Sequence, residues 1–355
     1  MNPEHDGRSA RRVIDRAPLR RLRSSLTVIG LAMVALSLTS CAAAVAHRAS
    51  SSGASLAVTA RVDLGPSSAI AIDQMPGAEA PNGTFYYANG SVVRVVRGTS
   101  APVRILTATG PVLALAATTS DLYVQTGLTI DDYRVPAGEM RRSWTLPSQL
   151  LAPRTAGLFV AANALWSWSD GATDQSGFEY ATVDVISTAT GAIRVVDQHA
   201  YPADMAADRS GLYFETEIGV HGYLAHVTPT GTRTLSRPTS DVDSPLAIAS
   251  GSVALFTEHG NGMPYLDRYR ATALGLIGSY RLTAPILTGV DTSEGLLALA
   301  CNESDCASRS IVRIASEGAT VMARITLVGL ATLVEGASPA ALTSARGHGY
   351  LVRLV

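Results

Sequence analysis

From Leu56 onward the chain is a succession of short apolar runs separated by turn residues, and the stretch Tyr201–Leu235 shows the unit most clearly. It reads as a strand at Asp204–Ala207, an Asp-x-Ser-Gly turn, a strand at Leu212–Thr216, a loop, a strand at Tyr223–Val227, a Pro-Thr-Gly turn and a strand at Thr232–Leu235. Branched and aromatic residues bounded by Gly, Pro and Asp favour such strands and hairpins. One unit is therefore one antiparallel sheet of four strands.

The unit recurs. Its second strand returns as TFYY at Thr84–Tyr87, DLYV at Asp121–Val124, ALWSW at Ala164–Trp168, GLYF at Gly211–Phe214, SVALF at Ser252–Phe256, GLLAL at Gly295–Leu299 and AALT at Ala340–Thr343. With Tyr86, Tyr123, Trp166, Tyr213, Ala254, Leu297 and Leu342 as equivalent positions, the steps are 37, 43, 47, 41, 43 and 45 residues. A period near that of one blade, repeated seven times, predicts an all-β fold, a seven-bladed β-propeller of four-stranded antiparallel blades.

Small and branched residues precede each second strand, as in Ala69–Asp73, Val112–Ala116, Leu246–Ala249 and Leu287–Asp291, and these runs are expected to be the crowded innermost strands. Asp73, Asp208 and Asp291 close three of the runs and read as turn formers whose side chains bond their own backbone. Gly138, Gly191, Gly231 and Gly318 sit where a hairpin between the last two strands needs positive φ. The last unit, from about Gly329, is one strand short, while Leu56–Leu64 has strand character and no blade of its own. Residues 56–355 are thus expected to form the propeller, with 56–64 as the outer strand of the seventh blade.

The repeat, with its strand, DxxG turn, LYF, loop and PxG turn, resembles the degenerate blades of the NHL and virginiamycin B lyase-like propellers over roughly residues 65–355, most closely at Gly211–Gly231 and Leu255–Glu258. The lyase resemblance implies a metal-assisted elimination site of His and Glu on one face, for which no residue here matches one to one. The Trp-rich signature of quinone-dependent propellers is absent, the only Trp being Trp144, Trp166 and Trp168.

The first 40 residues differ in character. Arg11, Arg12, Arg16, Arg20, Arg21 and Arg23 precede an apolar run, Leu26–Leu38, which meets Leu38-Thr39-Ser40-Cys41. A basic segment, a short apolar segment and small residues before a cleavage point predict a secretory signal over 1–40. The last four residues resemble the lipobox of bacterial lipoproteins, which implies that Cys41 carries lipid and becomes the mature N-terminus. An uncleaved anchor is the alternative, although the run is shorter than the roughly 20 residues that span a bilayer. Both the general secretory and the twin-arginine routes stay open. Residues 41–55, rich in Ala and Ser, read as a flexible tether. Cys301 and Cys306, the other two Cys, are expected to close a hairpin loop as a disulfide in an exported chain.

Composition narrows the partners. The 355 residues carry 28 basic groups, all Arg, against 29 acids. Without residues 1–40 the balance is 21 Arg against 26 acids, a net charge near −5, which gives no basic stripe for nucleic acid. The sequence also lacks a GxSxG elbow and a P-loop, so nucleophilic hydrolysis and nucleotide chemistry have no motif behind them.

Loops between second and third strands vary in length, and variable loops on a rigid scaffold are where recognition usually sits. They carry Asp170, Asp174 and Glu179 in blade 3, Glu217 and His221 in blade 4, Glu258, His259 and Asn261 in blade 5, and Glu303 and Asp305 in blade 6. Asp170, Glu217 and Glu258 are nearly equivalent, so they are expected to line one arc of a rim. Such a set could bind a cation, a metal or a basic ligand group; acidic loops also simply keep a face soluble. No cofactor is firmly implied, a divalent cation being the one this set could take. His199 and His226 fall in strand patterns and read as packed or surface residues, while Trp166 and Trp168 share a strand face as core or as an aromatic patch. The expected function is a lipid-anchored binding or scaffold module at the cell envelope, with an envelope protein, peptide or glycan as ligand. The alternatives are a metal-assisted lyase or hydrolase using Glu217, Glu258 and His259, and a structural envelope protein.

Overall fold

A computed structural model describes residues 56–67, 72, 74–147, 153–173, 179–201, 205–219, 221–239, 244–249, 251–259, 262–292, 295–303, 306–315, 319–334, 336 and 339–355. Cys41, Asp174, Asn261 and Asp305 lie outside the described residues. The described residues form 28 strands, all paired antiparallel.

The first strand in sequence, β1 (Val58–Pro66), belongs to the last blade. Blade 1 contains β2 (Gly77–Glu79), β3 (Phe85–Asn89), β4 (Val92–Val96) and β5 (Val103–Thr107). Blade 2 contains β6 (Ala114–Ala117), β7 (Asp121–Thr126), β8 (Thr129–Arg134) and β9 (Glu139–Thr145). Blade 3 contains β10 (Ala156–Ala161), β11 (Ala164–Thr173), β12 (Glu179–Ser187) and β13 (Ile193–Ala200). Blade 4 follows with β14 (Ala206–Asp208), β15 (Gly211–Ile218), β16 (His221–Val227) and β17 (Arg233–Pro238). Blade 5 has β18 (Leu246–Ala249), β19 (Ser252–His259), β20 (Met263–Arg270) and β21 (Leu276–Arg281). Blade 6 has β22 (Ile286–Thr292), β23 (Gly295–Cys301), β24 (Arg309–Ile314) and β25 (Val321–Thr326). Blade 7 has β26 (Leu330–Val334), β27 (Ala340–Ala345) and β28 (His348–Leu354).

β1 completes blade 7 by pairing with β28, from Val58 opposite Leu354 to Pro66 opposite His348. Each innermost strand touches that of the next blade, β2 to β6 and onward through β10, β14, β18 and β22 to β26, and β26 touches β2. The seven blades therefore close into a ring: the molecule is a seven-bladed β-propeller.

Alternation along each strand sends side chains into the spaces between blades. Trp166 and Phe214 meet between blades 3 and 4, and Tyr213 and Leu255 between blades 4 and 5. Arginines add polar links across these spaces. Arg142 donates to the Thr188 carbonyl, Arg194 to Pro229 at 3.0 Å, Arg268 to Ala315 at 2.7 Å, Arg309 to Ala331 at 2.5 Å and Arg353 to Gly83 at 3.1 Å. Each link runs from one blade to the next in sequence. Arg353 also forms an ion pair with Glu79, whose side chain has no exposed surface.

One expectation is corrected. The innermost strand of blade 1 is Gly77–Glu79, where the expectation was the more apolar Ala69–Asp73. Within the latter stretch Ile72 is fully buried between blades 7 and 1, where its side chain lies against Gly349. The strand nearest the axis needs small residues there: a Cβ on Gly77 would come within 3.0 Å of the Phe85 ring. At the turns, Gly138, Gly191 and Gly231 have positive φ, and the Asp208 carboxylate accepts from the Ser210 amide at 2.7 Å.

Candidate functional site

A wide opening lies between blades 3 and 4, beside a local irregularity of the sheet. Ala181 pairs with Ala200 and Val183 with Asp197, so β13 sets Gln198 and His199 against the single residue Thr182. An extra residue of this kind bends a strand and re-aims its side chains. Past the bulge, Ala200 pairs with Thr216 of β15, and the Tyr201 amide donates to the Glu215 carbonyl at 2.9 Å. The outer strand of blade 3 thus ends by joining blade 4. Below that junction is an open cleft of about 790 Å³, lined by Tyr180, Asp197, His199, Thr216, Glu217 and Arg233 among others.

The polar groups of the cleft are held by one another. The Tyr180 and Tyr201 hydroxyls donate to the same oxygen, Glu217 Oε2, at 2.8 and 2.5 Å. Burial, with the Glu217 carboxylate beside it, keeps the Tyr201 hydroxyl protonated far above the ordinary phenol range. Both tyrosine rings are buried, and the exposed His199 ring stands edge-on to Tyr180 with centroids 5.5 Å apart. Asp197 is nearly buried; its carboxylate accepts from the His199 amide at 2.6 Å and from Thr216 Oγ1 at 3.1 Å, and pairs with Arg233 at 2.8 Å. The cleft therefore presents one carboxylate oriented by two hydroxyls, beside an acid whose charge a guanidinium balances.

A second opening runs along the ring axis. It holds about 300 Å³ and receives residues from all seven innermost strands, among them Ala114, Leu158, Ala206, Leu246, Val290 and Leu333. The side chains lining it are apolar apart from Thr288, Asp291 and Thr332. Trp168 reaches this opening and packs on Gly157, where a Cβ would lie 2.0 Å from the indole nitrogen.

The residues anticipated on the loop face are spread over separate environments. Asp170 is buried, and Oδ1 accepts from the amides of Arg154 and Thr155 at 2.9 and 2.8 Å, which fixes the entry into blade 3. Glu217 is the member that enters the cleft. Glu258 lies near the end of β19 opposite Pro264, and next to it His259 stacks on Tyr265 at 3.9 Å and lies 3.3 Å from Asp267 Oδ2. His221 is exposed opposite Ile218, and Glu303 is exposed in the loop that the Cys301–Cys306 disulfide closes. Glu179 opens β12 opposite Thr173. Among the described residues no group of three or more His, Cys, Asp and Glu is placed to hold a metal ion.

Sequence reasoning missed Tyr180, Asp197, Tyr201 and Arg233. A signal existed in Val195-Val196-Asp197-Gln198-His199, where three polar residues in a row break the strand alternation and mark the bulge. His199 lines the cleft, whereas His226 is buried, stacks on Tyr213 at 4.4 Å and has its pKa lowered by that burial.

Geometry and ring closure define the class: this is a propeller with an inter-blade cleft. Solved structures with the same fold include a chain of the mitotic checkpoint complex, with TM-score 0.62 and 11% identity over 92% of this chain and 99% of that one. The WD40 domain of Toxoplasma gondii coronin follows with TM-score 0.56 and 11% identity over 85% and 86% of the two chains. The WD40 domain of Neurospora crassa Pan2 has TM-score 0.53 and 10% identity over 84% and 95%. No protein-family model matches the sequence, and no curated protein matches it. At these identities the likeness is one of fold.

Proposed function

We propose that the protein is a lipid-anchored, extracytoplasmic propeller that binds a protein or peptide ligand at the cell envelope through the cleft between blades 3 and 4. The observation that carries the reading is the cleft itself, a surface opening large enough for several side chains, with its polar groups already oriented. Preorganisation of that kind lowers the cost of binding. The Leu38–Cys41 lipobox pattern supports the address. The disulfide agrees with it, since such bonds persist in oxidising compartments. One similar propeller is a chain of a multiprotein complex, which accords with a scaffold role.

A photo-crosslinking amino acid at Gln198 or Ile218, on the cleft, and at Met140, on the outer strand of blade 2, tests the site in whole cells. Discrete adducts at the two cleft positions and none at Met140 are expected; equal labelling at all three, or none, overturns the reading. The anchor has its own test. Cys41→Ser is expected to move the protein from the membrane to the soluble fraction, and unchanged membrane retention would defeat lipidation.

A further inference from the structure

Resting on that reading of the cleft, we propose that its ligand presents a cationic side chain, a guanidinium or primary ammonium on an aliphatic stem, to Glu217. Three observations converge on this class. First, the Glu217 carboxylate is fixed by two tyrosine hydroxyls that both meet Oε2, so Oε1 is the oxygen an incoming donor would reach. A carboxylate already oriented forms charge-assisted hydrogen bonds without reorganising. Second, the charges leave a deficit of one positive group. Among the residues lining the cleft, Asp197 and Arg233 balance at 2.8 Å, which leaves the Glu217 carboxylate with no arginine of its own there. Third, Val195, Val196 and the half-exposed Ile218 line the same opening, and an aliphatic stem bearing a terminal cation would lie against them. The Tyr180 ring adds an aromatic wall that favours a cation over a neutral isostere. An anionic ligand fits poorly, because the cleft cation, Arg233, is already held by Asp197.

The test uses the full-length protein in detergent micelles and two probes, acetyl-Gly-Arg-Gly-amide and the same peptide with citrulline, which keeps the shape and loses the charge. Binding is followed by NMR of the tyrosine rings at millimolar peptide. Saturable binding of the arginine peptide is expected, weakened about tenfold by citrulline and about tenfold by Glu217→Gln, as fits the loss of one charge-assisted hydrogen bond. Gln keeps an oxygen for both tyrosines, so an unchanged melting curve of this variant verifies that the cleft is intact. Equal affinity for the two peptides, no effect of Glu217→Gln, or no binding of either peptide overturns the inference. Its failure is separable from failure of the site: adducts at Gln198 and Ile218 that persist in Glu217→Gln would sink the cation and leave the recognition site standing.

Discussion

Arg142, Arg194, Arg268, Arg309 and Arg353 each reach a backbone carbonyl of the following blade, so these five arginines join blades. Among the described residues five of the seven junctions carry such a link, each in the same rotational sense. Where the partner is a buried acid the link matters most. Arg353→Ala is expected to cost about 3–5 kcal/mol, because it takes the guanidinium away from the buried Glu79 carboxylate. Arg141→Ala, which removes a more exposed pair with Asp121, is expected to cost about 1 kcal/mol or less. Denaturant unfolding of both variants checks the contrast, and similar losses would show that burial does not set the scale.

A second residue-level consequence concerns pH. Asp184, buried against blade 2 opposite Ser167, has its pKa pushed up to about 7 by desolvation, from 3.8 for the free group. The folded state therefore holds this proton over a window in which the unfolded chain has lost it. Stability from this group is full below about pH 4, falls as pH rises, and is lost above about pH 7. Asp184→Asn, which cannot ionise, is expected to leave stability near pH 4 almost unchanged and to raise it at pH 8 by a few kcal/mol, on the order of 1.4 kcal/mol per pH unit of that window. Urea midpoints at the two pH values measure it; equal gains at both would remove the ionisation argument.

Elements were legible to different degrees, and the reasons are physical. Second strands such as Gly211–Ile218 and the turn glycines stand out because a half-meshed sheet needs bulky residues in register and positive φ at its hairpins. Gly211 shows how tight the fit is. Its φ is +153°, and a Cβ there would lie 2.1 Å from the Val227 carbonyl oxygen, so Gly211→Ala is expected to destabilise by roughly 2–4 kcal/mol in thermal or urea unfolding. A cost below 1 kcal/mol, about that of an unstrained change, would mean that the turn relaxes. The innermost strand of blade 1 was not legible, since Gly77-Ala78-Glu79 has none of the residues that mark a strand. Crowding at the axis selects small side chains, and that selection erases the signal. The cleft was half legible. Glu217 fell where variable loops on a regular scaffold suggested, but its two tyrosine partners come from β12 and from the end of β13, and only the bulge brings them to it. Asp170 holds an equivalent position and caps two amides instead, so equivalence along the repeat did not carry equivalence of role.

At the scale of the whole molecule, two covalent and topological closures differ in reach. The Cys301–Cys306 bond spans a separation of 5 residues, and so short a loop constrains the unfolded chain by about 2 kcal/mol. Cys301→Ser with Cys306→Ser is expected to lower stability by that order. Removing residues 56–66 deletes β1 and bares the edge of β28, so the loss should be much larger and accompanied by association of the open edges. Unfolding and sedimentation of the two variants side by side decide this; equal losses would mean that the ring does not depend on β1.

The pairing of Val58 with Leu354 also sets a timetable. β1 finds its partner only once β28, 27 strands later among the described strands, has been made. Until then β1 and the last blade each carry an unsatisfied edge, and the contact that joins them spans the whole ring, which slows folding and prolongs exposure to aggregation. Synthesis that stops before β28 leaves β1 with nothing to pair, so such a product would be an open arc exposed to proteolysis at β1.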